Sequence, residues 1–310
     1  MPLFSVIIPT YNSEKFIRDS IESVLKQSLT DFELIIVDDG SKDTTQEILK
    51  EYAKKDPRIQ VITTPNSGGP ATPTNIGITK AKGTYIAFLD HDDSWKEHKL
   101  ETLLKEYTED DSVGFILSNV EVHLDQSGSK DPSKAKIRNR KLSHGKLLAG
   151  KYFNTFSMIS IRQNILNRIG SLDTDLLIFA DYDIIARMVS YNIPHVFLAE
   201  PLVTYRIHAH NTSSLENSAK RRAEDLERIT AKYAKTFRAN KSSLSSVHHA
   251  IGRLYLHIGD KTLAIKHYKI AVQNNPLNPF TYVRLLFAFL GERPYRLFAT
   301  FKGKAFRNVS

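Results

Sequence analysis

The chain has 310 residues, a net charge of +9 and no cysteine, which excludes disulfides and thiolate metal sites and leaves carboxylates, histidine and water to hold any metal. Hydrophobic residues make up 41%, enough for one packed α/β domain with a smaller appendage. The charge is uneven: residues 221–310 carry 17 Lys or Arg against 5 Asp or Glu, and residues 1–220 carry 26 against 29, so the C-terminal region is either a docking face for an anionic partner or a solubilising helical surface.

The opening MPLFSVIIPTYN lacks the basic start of a signal peptide, and Pro9 breaks its apolar run at once. No apolar stretch approaches the roughly 20 residues of a membrane span, which predicts a cytoplasmic protein with peripheral contact at the inner face of the membrane left open. Phe4–Pro9 reads as a strand, and Phe16, Ile17, Ile21, Val24 and Leu25 form one face of a following helix. Phe32–Val37 is a second strand closed by Asp38-Asp39-Gly40-Ser41. A helix over Thr44 to Ala53, a strand at Ile59–Thr63, a short helix over Thr74 to Ala81 and a strand at Thr84–Leu89 follow. This alternation predicts βαβ units and a mostly parallel, Rossmann-like sheet flanked by helices. Residues 96–108 read as helix, Gly114–His123 as strand and 125–146 as a polar, basic, mobile loop. Thr155–Ile161 reads as strand, Ile184–Tyr191 as helix and Val196–Ile207 as strand. From about residue 213 the pattern turns helical, with helices at Ala219–Ala239, Ser243–Ile258, Lys261–Asn274 and Thr281–Leu290. The turn Gly259-Asp260 gives the middle pair a tetratricopeptide-like look, with one unit visible.

Ligands of such sheets collect at the carboxyl ends of the strands, and the strand Tyr85–Leu89 ends in Asp90-His91-Asp92-Asp93. Two carboxylates two residues apart can project toward one divalent cation, Mn2+ or Mg2+, which neutralises a diphosphate leaving group. Asp92 is the expected direct ligand in this Asp-X-Asp arrangement, with Asp90 on the ribose or on the metal through water. The plainer alternative makes Asp93 or Ser94 the cap of a helix after Trp95.

Ser5-Val-Ile-Ile-Pro-Thr-Tyr-Asn12, Phe32 to Ser41, Asn66-Ser-Gly-Gly-Pro70, Asn75-Ile-Gly77 and Ala81 to Asp93 stand in an order and spacing that closely resemble family 2 glycosyltransferases. The resemblance covers residues 3–210 and implies the nucleotide-binding GT-A fold over residues 1–212, with an α-helical region at 213–310. It implies a base pocket of Pro9, Thr10 and Tyr11, with Asp39 accepting a hydrogen bond from a uracil-like imide and Asp38 nearby. Asn66 and Gly68 belong to the donor-side turn, where Gly68-Gly69 lets the backbone approach the donor. One departure stands out: Thr74 occupies a place where the family often has an arginine for the diphosphate, and Lys80, Lys82 or Arg206 are substitutes. In Ala180-Asp-Tyr-Asp183 the family's Glu-Asp pair is reduced to Asp181, the implied general base of an inverting transfer, with Asp183 second. Both aspartates would also suit a helix N-terminus without any catalysis. The turn Tyr205-Arg-Ile-His208 implies leaving-group contact by Arg206 and a place for His208 in the metal shell. His91 and His210 are weaker candidates.

The expected activity is transfer of a sugar from a nucleotide diphosphate, preferably a UDP-sugar, to the hydroxyl of a glycan, lipid-linked or polymer acceptor in cell-surface polysaccharide or glycoconjugate synthesis. A nucleotidyltransferase and a catalytically impaired sugar-nucleotide binder are the alternatives. No nucleic-acid motif accompanies the basic C-terminus, whose other expected roles are peripheral membrane contact and self-association.

Overall fold

A computed structural model describes residues 1–124, 130–131, 142–150, 155–208 and 215–290. The chain divides into two compact units, one of residues 1–143 and 153–211, the other of residues 144–152 and 212–310.

In the first unit the strands are β1 (Phe4–Thr10), β2 (Phe32–Asp38), β3 (Ile59–Thr63), β4 (Tyr85–Phe88), β5 (Ser94–Trp95), β6 (Phe115–Leu124), β7 (Lys130–Asp131), β8 (Ile159–Arg162) and β9 (His195–Ile207). They form one sheet in the order β3-β2-β1-β4-β8-β6-β9-β5, with β7 pairing off β6. The expected parallel character holds for β3, β2, β1 and β4. Beyond β4 the sheet is mixed: β8 runs antiparallel to both β4 and β6, β9 is parallel to β6, and β5 is antiparallel to β9. A run of apolar residues encodes burial but not strand direction, which is why the alternation alone did not reveal the reversal. Every residue of β1 is buried, Ser5 and Thr10 included, as expected of a mostly apolar strand covered on both faces. Pro9, which cannot donate to a ladder, lies one residue from its end.

The helices are α1 (Ile17–Leu25), α2 (Thr45–Lys55), α3 (Ala71–Lys80), α4 (Lys99–Glu109), α5 (His144–Leu148), α6 (Gln163–Ile169), α7 (Ala180–Ser190), α8 (Leu215–Lys232), α9 (Ala234–Ala239), α10 (Lys241–His257), α11 (Lys261–Asn274) and α12 (Pro279–Leu290). α1 buries Ile17, Ser20, Ile21 and Val24 on one face. α3 lies close on the sheet because Gly77 has no Cβ: one built there would stand 2.5 Å from the Ile7 side chain.

Three local expectations change. Helix α4 begins at Lys99, because Ser94 and Trp95 pair with Thr204 and Val203 as β5. Asp93 and Ser94 therefore cap no helix, and the Asp93 side chain turns inward. Thr155–Ile161 is not one strand: a 3-10 turn at Phe156–Met158, capped by Thr155, precedes β8. Helix α6 follows β8 directly and went unforeseen, its seven residues being too few to show a period. Of the predicted loop 125–146, residues 125–129 and 132–141 lie outside the described residues, whereas His144–Leu148 is helical.

The second unit holds α5 and α8–α12. Gly259, at φ +85°, turns the chain between α10 and α11, and Asp260 caps α11 by accepting from the Leu263 amide at 2.9 Å. No described helix is long and apolar enough to cross a membrane. On α12, Phe280, Leu286, Phe289 and Leu290 are exposed.

Candidate active site

The order β3-β2-β1-β4 makes β1 and β4 neighbours across a topological switch point: the chain runs outward through β2 and β3, then returns to the other side of β1. The carboxyl ends of β1, β2 and β4 open there, and ligands of doubly wound sheets bind in that crevice.

On the β1–β2 side, Thr10 is buried, Tyr11 is half exposed, and the Asp39 amide donates to the Thr10 carbonyl at 2.8 Å. Asn12 takes φ +47°, a left-handed conformation that asparagine tolerates. Its amide donates to Ser41 Oγ and its side-chain oxygen accepts from the Lys42 amide. The two aspartates of this rim differ in occupancy. Asp39 accepts from Asn66 Nδ2 at 3.2 Å and from the Ser67 amide and hydroxyl at 3.0 and 2.9 Å, so a nucleobase reaching Asp39 shares or displaces these donors. Asp38 is fully buried, with one carboxylate oxygen accepting from the Ser41 amide at 3.2 Å and the other without a hydrogen-bond partner among the described residues. Gly40, at φ +76°, permits this packing, since a Cβ there would stand 2.9 Å from the Asn66 amide nitrogen. Gly68 has φ +83° in the donor-side turn. Thr74 points back into its own helix, its hydroxyl donating to the Pro70 carbonyl at 2.6 Å. Asn75 donates to the Leu172 carbonyl at 3.0 Å and accepts from the Leu172 amide at 2.8 Å, which ties α3 to the segment leading into α7.

On the β4 side the acidic loop is held from three directions. From α1, the Ser20 hydroxyl is 2.8 Å from the His91 carbonyl and 2.7 Å from that of Asp93. From the 3-10 turn, the Asp90 amide donates to Ser157 Oγ at 2.9 Å, Thr155 Oγ1 lies 2.5 Å from Asp90 Oδ2, and the Thr155 and Ser157 hydroxyls lie 2.8 and 2.6 Å from Asp93 Oδ2. From β9, the Arg206 amide donates to Asp93 Oδ1 at 3.1 Å, the Arg206 guanidinium to the Asp92 carbonyl at 3.2 Å, and His208 Nε2 meets Asp92 Oδ2 at 3.0 Å. Arg206 also pairs with Asp19 at 2.7 Å, and Phe16 stacks on the His208 ring at a centroid distance of 4.4 Å. Asp90, Asp92, Arg206 and His208 are thus brought together, while His91 contributes its backbone. His210 lies outside the described residues.

Three carboxylates in four residues make this loop electrostatically uncomfortable. Burial first, then the neighbouring Asp92 charge, pushes the Asp90 carboxyl up to about 6. The same causes, with Asp90 added, raise Asp93 well above the usual carboxylate range. Burial would raise Asp92 as well, but the His208 hydrogen bond and the nearby imidazoles outweigh it and hold Asp92 below its ordinary value. The carboxylate oxygens of Asp90 and Asp92 are hard donors, which fit Mn2+ or Mg2+. Among the described residues no three His, Cys, Asp or Glu side chains converge as a ready-made metal cage. Magnesium sites of this kind use one or two carboxylates plus substrate phosphates, so Asp90 and Asp92 suffice.

The second acidic centre opens α7. Asp183 is fully buried and ion-paired with Arg187 at 2.5 Å. Arg187 also donates to the carbonyls of Ile169, Gly170 and Ser171 at the end of α6, which gives Asp183 a structural task. Asp181 is half-buried, and one of its carboxylate oxygens accepts from the Tyr182 amide at 2.7 Å.

Sequence reasoning missed Asp93 as the hub of the acidic loop, and missed Thr155 and Ser157 altogether. Their partners lie 62–67 residues away in the chain, and a Thr-Phe-Ser tripeptide carries no local signal of its own.

A parallel half-sheet with a switch point, rimmed by carboxylates where the strands end, is the arrangement of the GT-A fold. The family profile "Glycosyl transferase family 2" matches residues 5–170, and the chain belongs to that family and is a glycosyltransferase. TuaG of Bacillus subtilis (strain 168), named a putative teichuronic acid biosynthesis glycosyltransferase, is 48% identical over 104 residues, covering 34% of this chain and 41% of TuaG. Curated relatives are thus matched over only part of their length. S. aureus TarS 1–349, solved in complex with UDP-GlcNAc, has a TM-score of 0.59 at 20% identity, over 88% of this chain and 89% of that one. The mannosyltransferase PcManGT from Pyrobaculum calidifontis, solved with GDP-Man and Mn2+, has a TM-score of 0.63 at 19% identity, over 96% and 83%. These likenesses show the fold.

Proposed function

We propose that the chain moves a sugar from a UDP-sugar to an acceptor hydroxyl with inversion at the anomeric carbon, in the synthesis of a cell-surface polysaccharide or glycoconjugate. The observation that carries this reading is the acidic loop Asp90–Asp93, fastened at the carboxyl end of β4 with Arg206 and His208 against it. The complex of TarS with UDP-GlcNAc supports a uridine donor, that of PcManGT with GDP-Man and Mn2+ supports a divalent cation, and the name of TuaG supports a polysaccharide product. Glycan, lipid-linked and polymer acceptors all offer the required hydroxyl.

Thr10, Tyr11, Asp38 and Asp39 line the nucleoside side, with Pro9 one residue before the end of β1 and Asn66 and Gly68 in the flanking turn. Asp92 and Asp90 hold the cation, with His208 fixing the Asp92 carboxylate. A bound Mn2+ or Mg2+ supplies positive charge to the diphosphate as it departs. Arg206 adds a guanidinium beside the same loop, which answers the absence of an arginine at Thr74. Asp181 takes the proton of the acceptor hydroxyl while its oxygen bonds to the anomeric carbon; the bond from that carbon to the phosphate oxygen breaks, and UDP leaves. The core is assigned to residues 1–212 and the helical region to 213–310.

Product analysis tests the reading. Incubation with UDP-GlcNAc, other UDP-sugars and GDP-mannose in the presence of Mn2+ should release nucleoside diphosphate. Release of pyrophosphate, or no turnover of any sugar nucleotide, would refute it. A cytoplasmic protein touching a membrane through its basic C-terminal region, where α12 exposes Phe280 and Leu286, should co-sediment with anionic but not neutral vesicles. Equal pelleting with both, or none, leaves self-association as the role of that region, read from molar mass in solution.

A further inference from the structure

We propose that Thr155 is a positioning residue for the metal-binding carboxylates. Its hydroxyl fastens Asp90 and Asp93 to the 3-10 turn, so that Asp90–Asp92 meets the cation and the diphosphate as an already ordered loop. The inference rests on the glycosyltransferase reading above and adds to it a residue from a distant part of the chain.

Thr155 is only 3% exposed, and its Oγ1 lies 2.5 Å from Asp90 Oδ2 and 2.8 Å from Asp93 Oδ2. The same oxygen accepts from the Ser157 amide at 3.1 Å, so the side chain that caps the turn is also the one that grips the acidic loop. Ser157 acts in parallel, accepting from the Asp90 amide and donating to Asp93.

The turn is a firm anchor. Trp95 Nε1 donates to the Ser157 carbonyl at 3.2 Å, the Ser118 hydroxyl reaches the Met158 carbonyl at 3.4 Å, and Lys99 Nζ donates to Ser118 at 2.6 Å. A carboxylate held by a buried hydroxyl loses its rotational freedom before the ligand arrives, and losing partners of this kind around metal ligands typically costs about 10–100-fold in metal affinity or activity. The Asp90 backbone is held by Ser157, and its side chain by the Thr155 hydroxyl with the Phe156 amide of the same turn beside it.

The test separates the hydroxyl from the shape of the side chain. Thr155→Val keeps the volume and removes the hydroxyl; Thr155→Ser keeps the hydroxyl and removes the methyl. Mn2+ binding to the full chain in the presence of UDP, measured by titration calorimetry, should weaken roughly 10–100-fold in T155V and stay within about 3-fold of the parent in T155S. Unchanged circular dichroism would accompany both. Should T155V fail to fold, the pair Thr155→Ala and Thr155→Ser carries the same comparison. The inference is overturned if T155V binds Mn2+ like the parent, or if T155S loses as much as T155V. If the parent chain itself shows no Mn2+-dependent UDP binding, the glycosyltransferase reading of the site fails, and that result is distinguishable from a failure confined to Thr155.

Discussion

The two acidic clusters of the first unit look alike in sequence and are used in opposite ways by the fold. At the end of β4, Asp90, Asp92 and Asp93 crowd together, and two of the three carboxyls are driven upward by burial and mutual repulsion. Their hydrogen bonds come largely from hydroxyls and backbone amides, which fix geometry without cancelling charge. At the start of α7, Asp183 is neutralised by Arg187, itself anchored on three carbonyls. At the β4 end the basic side chains Arg206 and His208 meet Asp92, while the Asp90 and Asp93 carboxylates are held by hydroxyls and amides; at α7 the guanidinium sits on the carboxylate itself, which makes a structural joint. The difference separates the two aspartates of α7 as well: Asp183 is committed to Arg187, which is why Asp181 is the proposed proton acceptor.

The sharpest way to break this comparison is to exchange the expected losses. Asp181→Asn should lower transfer by roughly 10²–10⁴-fold while sparing UDP-sugar affinity, the signature of a lost general base. Turnover near the parent level would remove Asp181 from that role. Asp92→Ala should lower turnover on the order of 10²–10³-fold and abolish the response to added Mn2+; a variant still activated by Mn2+ would move the cation elsewhere. Arg187→Met should take the guanidinium away from the buried Asp183 carboxylate and cost about 3–5 kcal/mol of stability by denaturant unfolding. A loss confined to activity, with stability intact, would mean that Asp183 rather than Asp181 serves the reaction.

The β3-β2-β1-β4 half of the sheet was legible in the sequence, because mostly apolar runs at β1, β2 and β4 with helical patterns between them leave little choice of topology. The sequence also showed where the carboxylates would stand, since a strand end is a local property. It could not show their state. Whether Asp39 is free or already engaged depends on Asn66 and Ser67, and whether Asp183 is catalytic or structural depends on an arginine one turn further along the same helix. Asp93 looked like a helix cap because Ser94 and Trp95 carry no hint that they pair with Thr204 and Val203. Hydrogen-bond partners supplied by tertiary contact have no period and no spacing in the chain, and the Thr155–Ser157 turn was invisible for that reason.

The smallest effect tests the contrast between cations. Arg187 has its carboxylate; Lys99 is more deeply buried still, with a hydroxyl from Ser118 and the Trp95 ring 5.0 Å away. Burial lowers its ammonium from 10.5 to about 7. The sign then follows from proton counting. Between pH 7 and 10.5 the unfolded chain holds a proton on Lys99 that the folded chain has released, so stability from this group rises with pH across that window and is at its lowest below pH 7. Lys99→Met, which fills similar volume without charge, should flatten that rise and stabilise the protein at pH 7 and below by on the order of 1–3 kcal/mol. Denaturant midpoints of the parent and of K99M at pH 6.5 and 9.5 decide it: midpoints that converge at the higher pH identify an uncompensated buried charge, and parallel ones would show that Lys99 is paired as fully as Arg187.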